Sequence, residues 1–375
     1  MSTFHGLEMA KQALFAQQSA LHTTGHNISN ANTEGYTRQR VDFESAPAYP
    51  AISRNHPVIA GQIGTGVRAG SVQRIRNEYL DDQFRGENSK VGYWQARSGA
   101  LSRMENLLNE PSETGLSASL DQFWQSLQDL AVNPENSGAR SVVVQRGQAL
   151  AETVNYLSDS LLNIRADIKG QINTTLKDAN TITNQINEIN QQVKRLETNG
   201  YTANDLYDRR DKLIDELSNI VDIDVQYDTS HTESKTVDGV ATIRIVNDVG
   251  DEVATLVDGM TDTVNKFAVN DEIDYVLDPE SGIESIHIDG TESRFNINKL
   301  LQSEGSLKGL VEAYGYQKGE ETIGLYPDML ANLEKLATNY IDEFNMVHEE
   351  GYGIANESDE MDNKGNAFLT LKEKH

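Results

Sequence analysis

The chain has no cysteine, which excludes disulfides, thiolate nucleophiles and cysteine-based zinc sites and leaves the redox compartment open. It has no apolar run of about 18 residues, so no membrane-spanning helix is expected. Residues 1–10 lack a basic stretch followed by an apolar one, so any export is expected to proceed without a cleaved secretory signal. Positive charge is scarce. Lys plus Arg number 32 against 58 Asp plus Glu, a net charge of −26, which argues against a nucleic-acid partner. Proline is scarce too: seven in 375 residues, with none between Pro134 and Pro279, which leaves that stretch open to long helix.

Charge is uneven. Residues 1–80 hold 7 basic and 5 acidic side chains, net +2, whereas residues 221–300 hold 5 and 18, net −13. One end suits close packing and the middle suits water. No acid lies between Ser45 and Asn77, although Arg54, Arg68, Arg74 and Arg76 fall there.

What is present is helical period. Leu7, Leu14, Leu21 and Ile28 stand one heptad apart within an expected helix over 4–30. Ala10, Ala13, Ala16 and Ala20 flank them and permit close helix approach. So thin a seam needs a partner helix. It is followed at once by Asn27-Ile28-Ser29-Asn30-Ala31-Asn32-Thr33-Glu34-Gly35-Tyr36. Asn and Gly tolerate left-handed backbone. The run is therefore expected either to turn the chain sharply while leaving amides of Asn27, Asn30, Asn32, Gly35 and Tyr36 free to pair with a neighbouring subunit, or to be an ordinary loop at the end of a helix.

An extended arm should follow, with strands near 41–43 and 66–76. A second helical stretch at 79–109 carries Leu80, Phe84, Val91, Trp94, Leu101, Met104 and Leu108 as its apolar positions. Pro111 breaks it, and a short helix over 116–130 ends before Pro134. A long helix is expected over 139–198. Leu157, Leu161, Ile164, Ile182, Ile186 and Ile189 belong to its stripe, which steps by three and four. Steps of four from Ile164 to Ile168 to Ile172 mark a stutter around Gly170. A return helix spans 203–219. Period two then takes over at Val221, Ile223, Val225 and Tyr227, with hairpin signals at Asp238-Gly239, Asp258-Gly259 and Asp289-Gly290. Helical period resumes at 309–314 and 328–347, where Leu333, Leu336 and Tyr340 are expected to pack against the long helix, with Ile186 set against Leu333 or Leu336.

Chemistry is thinly supported. His22 and His26 share a helix face but have no third ligand nearby. His348-Glu349-Glu350 starts like a zinc-protease motif, yet Gly351-Tyr352 stands where the second histidine belongs. A calcium loop ending at Gly365 would put Lys364 at a ligand position. The carboxylates at 221–300 read as a solvated face, with a carboxylate-dependent hydrolase as the competing reading. Asp208-Arg209-Arg210-Asp211 could bind an anion, but on a helix with a Leu/Ile stripe it reads as intramolecular ion pairs. No glycine-rich loop precedes a Lys-Ser or Lys-Thr pair, so a P-loop is absent. No catalytic, cofactor or metal residue is expected.

The stretch Ala31-Asn32-Thr33-Glu34-Gly35-Tyr36 resembles the signature shared by the flagellar rod, hook and junction proteins. Three further runs resemble the hook-associated junction branch of that axial family. They are Asn204-Asp205-Leu206-Tyr207-Asp208-Arg209-Arg210-Asp211-Lys212-Leu213, Glu110-Pro111-Ser112-Glu113-Thr114-Gly115-Leu116, and Gly305-Ser306-Leu307-Lys308-Gly309-Leu310 with Phe344-Asn345-Met346-Val347-His348-Glu349-Glu350-Gly351. The matches run in order over nearly all 375 residues.

The resemblance implies a structural adapter at the hook–filament junction. It also implies a ring of about eleven copies, contact with hook protein and a second junction protein, an export chaperone, and secretion to the flagellum by type III export. A rod or hook subunit is the alternative within the family. The family closes with a C-terminal heptad helix paired to the first, and this chain is expected to lack it, either as a fragment or as a truncated relative.

The expected class is α+β: an elongated, mainly helical coiled-coil rod with an inserted antiparallel β domain. Its expected parts are an assembly helix and signature (1–36), an extended arm (37–78), the first rod segment (79–220), the acidic β domain (221–304), returning rod helices (305–350) and a polar tail (351–375).

Overall fold

An unbroken three/four apolar stripe and the absence of proline let one helix run far. The computed structural model places it at Ser137–Thr198, 62 residues, or about 93 Å at 1.5 Å per residue. Asn136 caps its start, accepting from the amides of Gly138 and Ala139 at 2.9 and 3.4 Å. Gly200, at φ +79°, lets the chain turn away at its end. The structure describes residues 3–50, 61–108, 115–232, 236–247, 249–267, 300–351 and 365–370, and, within 268–299, Gly282, Ile283, Ile286 and Ile288.

The helices are α1 (Thr3–Ser29), α2 (Glu78–Leu108), α3 (Leu116–Val132), α4 (Ser137–Thr198), α5 (Asn204–Ile220), α6 (Ser306–Tyr314) and α7 (Leu325–Glu350). The strands are β1 (Gln39–Ser45), β2 (Val67–Arg74), β3 (Ile223–Asp228), β4 (Val240–Val246), β5 (Glu252–Asp258), β6 (Thr263–Val264), β7 (Tyr316–Lys318) and β8 (Glu321–Ile323). The order is helices, sheet, helices, so this is a helical rod with antiparallel β structure inserted in it. None of the described helices is long and apolar enough to cross a membrane.

α4 is the spine and changes partners along its length. Near its start, Val143 and Leu150 meet Phe123 of α3, with Tyr340 and Phe344 of α7 packed against them. In the middle, Arg165 donates to the carbonyl of Tyr314 in α6 at 2.9 Å. Near its end, Ile189 and Val193 meet Tyr207 of α5. Leu157, Leu161, Ile186, Ile189 and Leu333 are buried, while Ile164, Ile182 and Tyr340 are half-buried.

Two expectations need correction. Leu336 is 48% exposed and lies outside the core. Ile186 is covered by the sheet. Its neighbours Asn180 and Asn190 reach across to Phe267 and Ala241, each clamping one backbone amide and carbonyl at 2.7–3.0 Å.

The sheet runs β3-β4-β5-β6, antiparallel throughout. Ala241, Ile243 and Ile245 of β4 face Tyr227, Val225 and Ile223 of β3 and are fully buried. This is the period-two pattern at work. The Asp289-Gly290 turn, the Pro111 break and most of the tail lie outside the described residues. In the tail, 365–370 returns to the rod. Phe368 packs on Phe123 and Phe344, and Asn345 Oδ1 accepts from the amides of Phe368 and Leu369 at 2.9 and 3.0 Å.

α2 reverses an ordinary expectation. Leu80, Phe84, Val91, Trp94 and Leu101 are exposed, and Arg85, Ser89, Gly92, Ala100 and Met104 are buried. Close approach decides the face. A Cβ on Gly92 would stand 2.1 Å from the Asn219 carbonyl oxygen, and one on Gly309 would stand 2.8 Å from that of Tyr93. Only the small-residue face of α2 can approach α5 and α6 so closely.

Candidate assembly surface

α1 lies on a two-stranded hairpin. β1 and β2 pair from Gln39↔Arg74 to Ser45↔Val67, with a bulge at Asp42/Phe43. The side of α1 that covers the hairpin carries Ala16 and Thr23, both buried, and Met9, whose Cγ would stand 3.0 Å from a Cβ on Gly66. At 3.6 residues per turn the heptad seam lies on the opposite side of the helix. Leu7, Leu14, Leu21 and Ile28 are 67%, 59%, 71% and 71% exposed. Beside Ile28, a groove of about 550 Å³ opens among Ala20, Ala31, Val41, Phe43, Arg38 and Arg40.

The Asn/Gly/Tyr signature is turned inward, contrary to the expectation that its amides stay free for a neighbour. Asn27 Oδ1 accepts from Tyr36 Oη at 2.7 Å and from the Gln39 amide at 2.9 Å, and its Nδ2 donates to the Gln39 carbonyl at 2.8 Å. The Asn27 amide thus imitates a strand partner for β1. His26 Nδ1 lies 2.9 Å from the Tyr36 hydroxyl. That hydroxyl already donates to Asn27, so it accepts from the Nδ1–H tautomer of His26. Burial, then the charges of Asp208 and Asp205, push the Tyr36 phenol up. Asn30 Nδ2 donates to the His26 carbonyl at 3.1 Å. Gly35, at φ +81°, makes the turn. Asn32 is exposed. His22 is exposed, and no group of three or more metal-binding side chains occurs among the described residues.

Beneath the hairpin stands a cluster of charges. Arg74 Nη1 donates to Asp208 at 2.8 Å and to Asp211 at 2.7 Å, and Nη2 donates to Asp238. The Arg74 guanidinium lies 5.0 Å over the Tyr207 ring. Arg76 binds Asp81 and, at 3.0 Å, Asp211. Arg210 is fully buried between Tyr207 and Tyr227, at 5.3 and 4.9 Å, and donates to the Gly239 carbonyl at 2.6 Å. Asp208, Arg210 and Asp211 of the Asp208–Asp211 run therefore form intramolecular ion pairs and hydrogen bonds, most of them across the fold and one, Arg210 with Asp211 at 3.9 Å, within the helix. The sequence held both halves of this cluster, an acid-free arm with arginines and an acid-rich helix. It held no local signal joining residues 134 positions apart.

Two other carboxylates of the sheet region serve their own turns. Asp228 Oδ1 accepts from the Ser230 amide at 2.6 Å, and Asp258 Oδ1 accepts from the amides of Met260 and Thr261 at 2.9 and 3.2 Å. Both carboxyls sit below their ordinary value. For Asp228 the cause is the bonding to Ser230; for Asp258 burial opposes the turn bonds and is outweighed.

Comparison with known proteins agrees with this architecture. Residues 101–364 match the model of the flagellar hook-associated protein FlgK helical domain, and residues 7–37 match that of the flagella basal body rod protein. Flagellar hook-associated protein 1 of Bacillus subtilis is 44% identical over 354 residues, covering 93% of this chain and 68% of that protein. Its counterpart in Salmonella typhimurium is 28% identical over 368 residues, covering 96% of this chain and 58% of that protein. Among solved structures, the flagellar hook junction protein FlgK from Burkholderia pseudomallei superposes with a TM-score of 0.53 at 17% identity, over 72% of this chain and 44% of that one. That likeness supports the fold. The chain thus spans 68% and 58% of the lengths of these two hook-associated relatives. By its family model and its Bacillus relative, it belongs to the flagellar hook-associated protein FlgK family.

Proposed function

We propose that the chain is a structural subunit of the bacterial flagellum, an adapter at the hook–filament junction that assembles through the heptad seam of α1. The observation that carries this reading is the seam itself: four large apolar side chains in one row, all exposed, on a helix whose other side is already covered. A row of this kind is stable in water only when another helix covers it. Membership of the hook-associated family supplies the setting.

In the full assembly the partners are further copies of the chain, in a ring of about eleven, with hook protein on one side and the second junction protein on the other. A dedicated chaperone keeps it ready for type III export without a cleaved signal. Its part in motility is mechanical. α4 carries load along the axis, and the acidic sheet region faces outward. The hydrolase reading finds no support: Asp228 and Asp258 cap turns, and Asp238 and Asp262 pair with Arg74 and Lys194.

The test is binding of labelled chain to purified hooks. Native chain should decorate hook ends. Leu14→Asp should stay folded by circular dichroism and fail to bind, because its charge is buried only in the complex. Normal binding by that variant would refute the reading. So would loss of its folded signal, which would place the seam inside the monomer.

A further inference from the structure

Among the described residues, none of the three hydrophobic clusters takes a residue from 3–50 or 61–76. The α1–hairpin unit has a small buried set of its own, Ala16 and Val41, and meets the rod through polar atoms. The Thr37 amide donates to Asp208 at 3.1 Å, Gln39 Nε2 to Asp205 at 3.3 Å, and Asn204 Nδ2 to the Val72 carbonyl at 2.9 Å. Lys212 pairs with Glu34 at 3.0 Å. The Arg74 cluster completes the joint. Its arginine, Asp208 and Asp211 are almost fully buried, whereas Asp238 is 39% exposed and leaves one side open to water.

The covalent connection is equally slight. Ile75 belongs to the hairpin, because its amide donates to the Arg38 carbonyl at 2.9 Å. Asn77 belongs to α2, because its Oδ1 accepts from the Tyr79 amide at 3.2 Å. Arg76 alone lies between them, and its side chain grips Asp81 and Asp211.

A joint of this composition behaves unlike an apolar one. Parting it returns charges and amides to water, which solvates them, and uncovers little apolar surface of the kind that holds cores together. A unit with its own packing and a single covalent connection then moves as a body, as hinged domains do. We infer that residues 3–76 swing on the rod about Arg76, and that the contact of Arg74 with Asp208, Asp211 and Asp238 is the catch that fixes one orientation. The inference does not depend on the assembly reading. If the seam does bind neighbours, release of the catch lets one chain present it at more than one angle.

The absence of cysteine makes the test clean. Spin labels are placed at Gln18→Cys on α1 and Lys177→Cys on α4, both exposed positions, and their separation is read by pulsed electron paramagnetic resonance. The native background should give one narrow distance distribution. Arg74→Gln should broaden it at least about twofold while the helical melting midpoint holds. The reason is that Asp208, left without its arginine in a buried joint, gains by reaching water, while Asp211 keeps Arg76 and loses one of its bonds across the joint. Asp238→Asn together with Glu34→Gln, which touch only the exposed limbs, should broaden it less. This pair decides the matter if Arg74→Gln does not fold. A distribution that stays narrow in both variants would overturn the inference. So would broadening that appears only together with loss of the rod's helical signal.

Discussion

Two glycines, subjected to the same change, should respond with opposite sign. In the middle of a helix, Gly→Ala removes unfolded-state freedom and gains roughly 1 kcal/mol if nothing is in the way. Gly170 meets that condition: it is exposed on α4, and a Cβ there has nothing within 4 Å. Gly92 does not. Its Cβ would lie 2.1 Å from the Asn219 carbonyl oxygen and 3.1 Å from both the Asn219 carbonyl carbon and the Ser306 amide. All three are backbone atoms, so α2 must retreat from α5 by about 1.3 Å to bring the 2.1 Å approach to an ordinary contact of 3.4 Å. Overpacking of this kind costs about 1–3 kcal/mol, and a backbone obstacle puts it at the upper end. After the propensity gain, Gly92→Ala should be destabilised by roughly 2 kcal/mol. Urea unfolding read by circular dichroism measures both variants, and the tryptophan emission of Trp94, two residues away, reports the local change. Gly92→Ala as stable as the native chain would refute the claim that glycine contact sets the face of α2. A marked loss at Gly170 would show that the stutter needs a bend.

Three other outcomes follow from the described contacts. Ile186→Ala should cost about 2–5 kcal/mol, since the side chain is fully buried under the sheet; a loss below about 1 kcal/mol in urea unfolding would contradict that placement. Asn345→Ala should release 365–370 from α7, because one side chain holds two amides and the Leu369 carbonyl. Faster hydrogen exchange at Phe368 and Leu369, with the rod unchanged, is the expected reading. The Arg74 catch should outlast ordinary carboxylate titration. Burial pushes the Asp211 carboxyl up, but the charges of Arg210, Arg74 and Arg76 outweigh it and hold it below 3.8. A depressed carboxyl contributes in full above its unfolded value and is lost as pH falls through its folded one. The Asp211 limb of the catch should therefore persist at about pH 5 and be lost only below pH 3.8, seen as a broadening of the label distance that sets in there.

Helix and strand placement was legible because each element announces its own period. The stripe of α4 and the alternation of β3 are local facts about residues three, four or two apart, and the structure follows them closely. Partner choice was less legible. Ile186 and Leu333 both read as stripe residues, yet a stripe does not say what covers it. Here a sheet covers Ile186 and leaves Leu336 in water. The signature Asn27–Tyr36 read as a turn with amides free for a neighbour or as an ordinary loop. Its inward clamp on Gln39 depends on a strand position that only the folded hairpin defines. The Arg74 cluster was invisible for the plainest reason: its partners lie more than a hundred residues away on elements with no shared period.

α2 shows why hydrophobic period alone can misplace a helix. Burial of its Leu80-Phe84-Val91-Trp94 side would favour one face by the area it removes from water. The rod instead uses the side that brings backbones within glycine distance and joins Arg85 to Asp215 at 3.0 Å and Asn88 to the Asp215 carbonyl at 2.8 Å. The Arg85 side chain is 2% exposed there, although Asp215 keeps 30% of its own surface in water. There an unpaired guanidinium would cost several kcal/mol. Arg85 therefore fixes the rotation of α2 more firmly than any single leucine does. The same logic runs through the N-terminal half of the molecule. Buried arginines choose which surfaces meet, and the large apolar side chains of α1 and α2 are left on the outside.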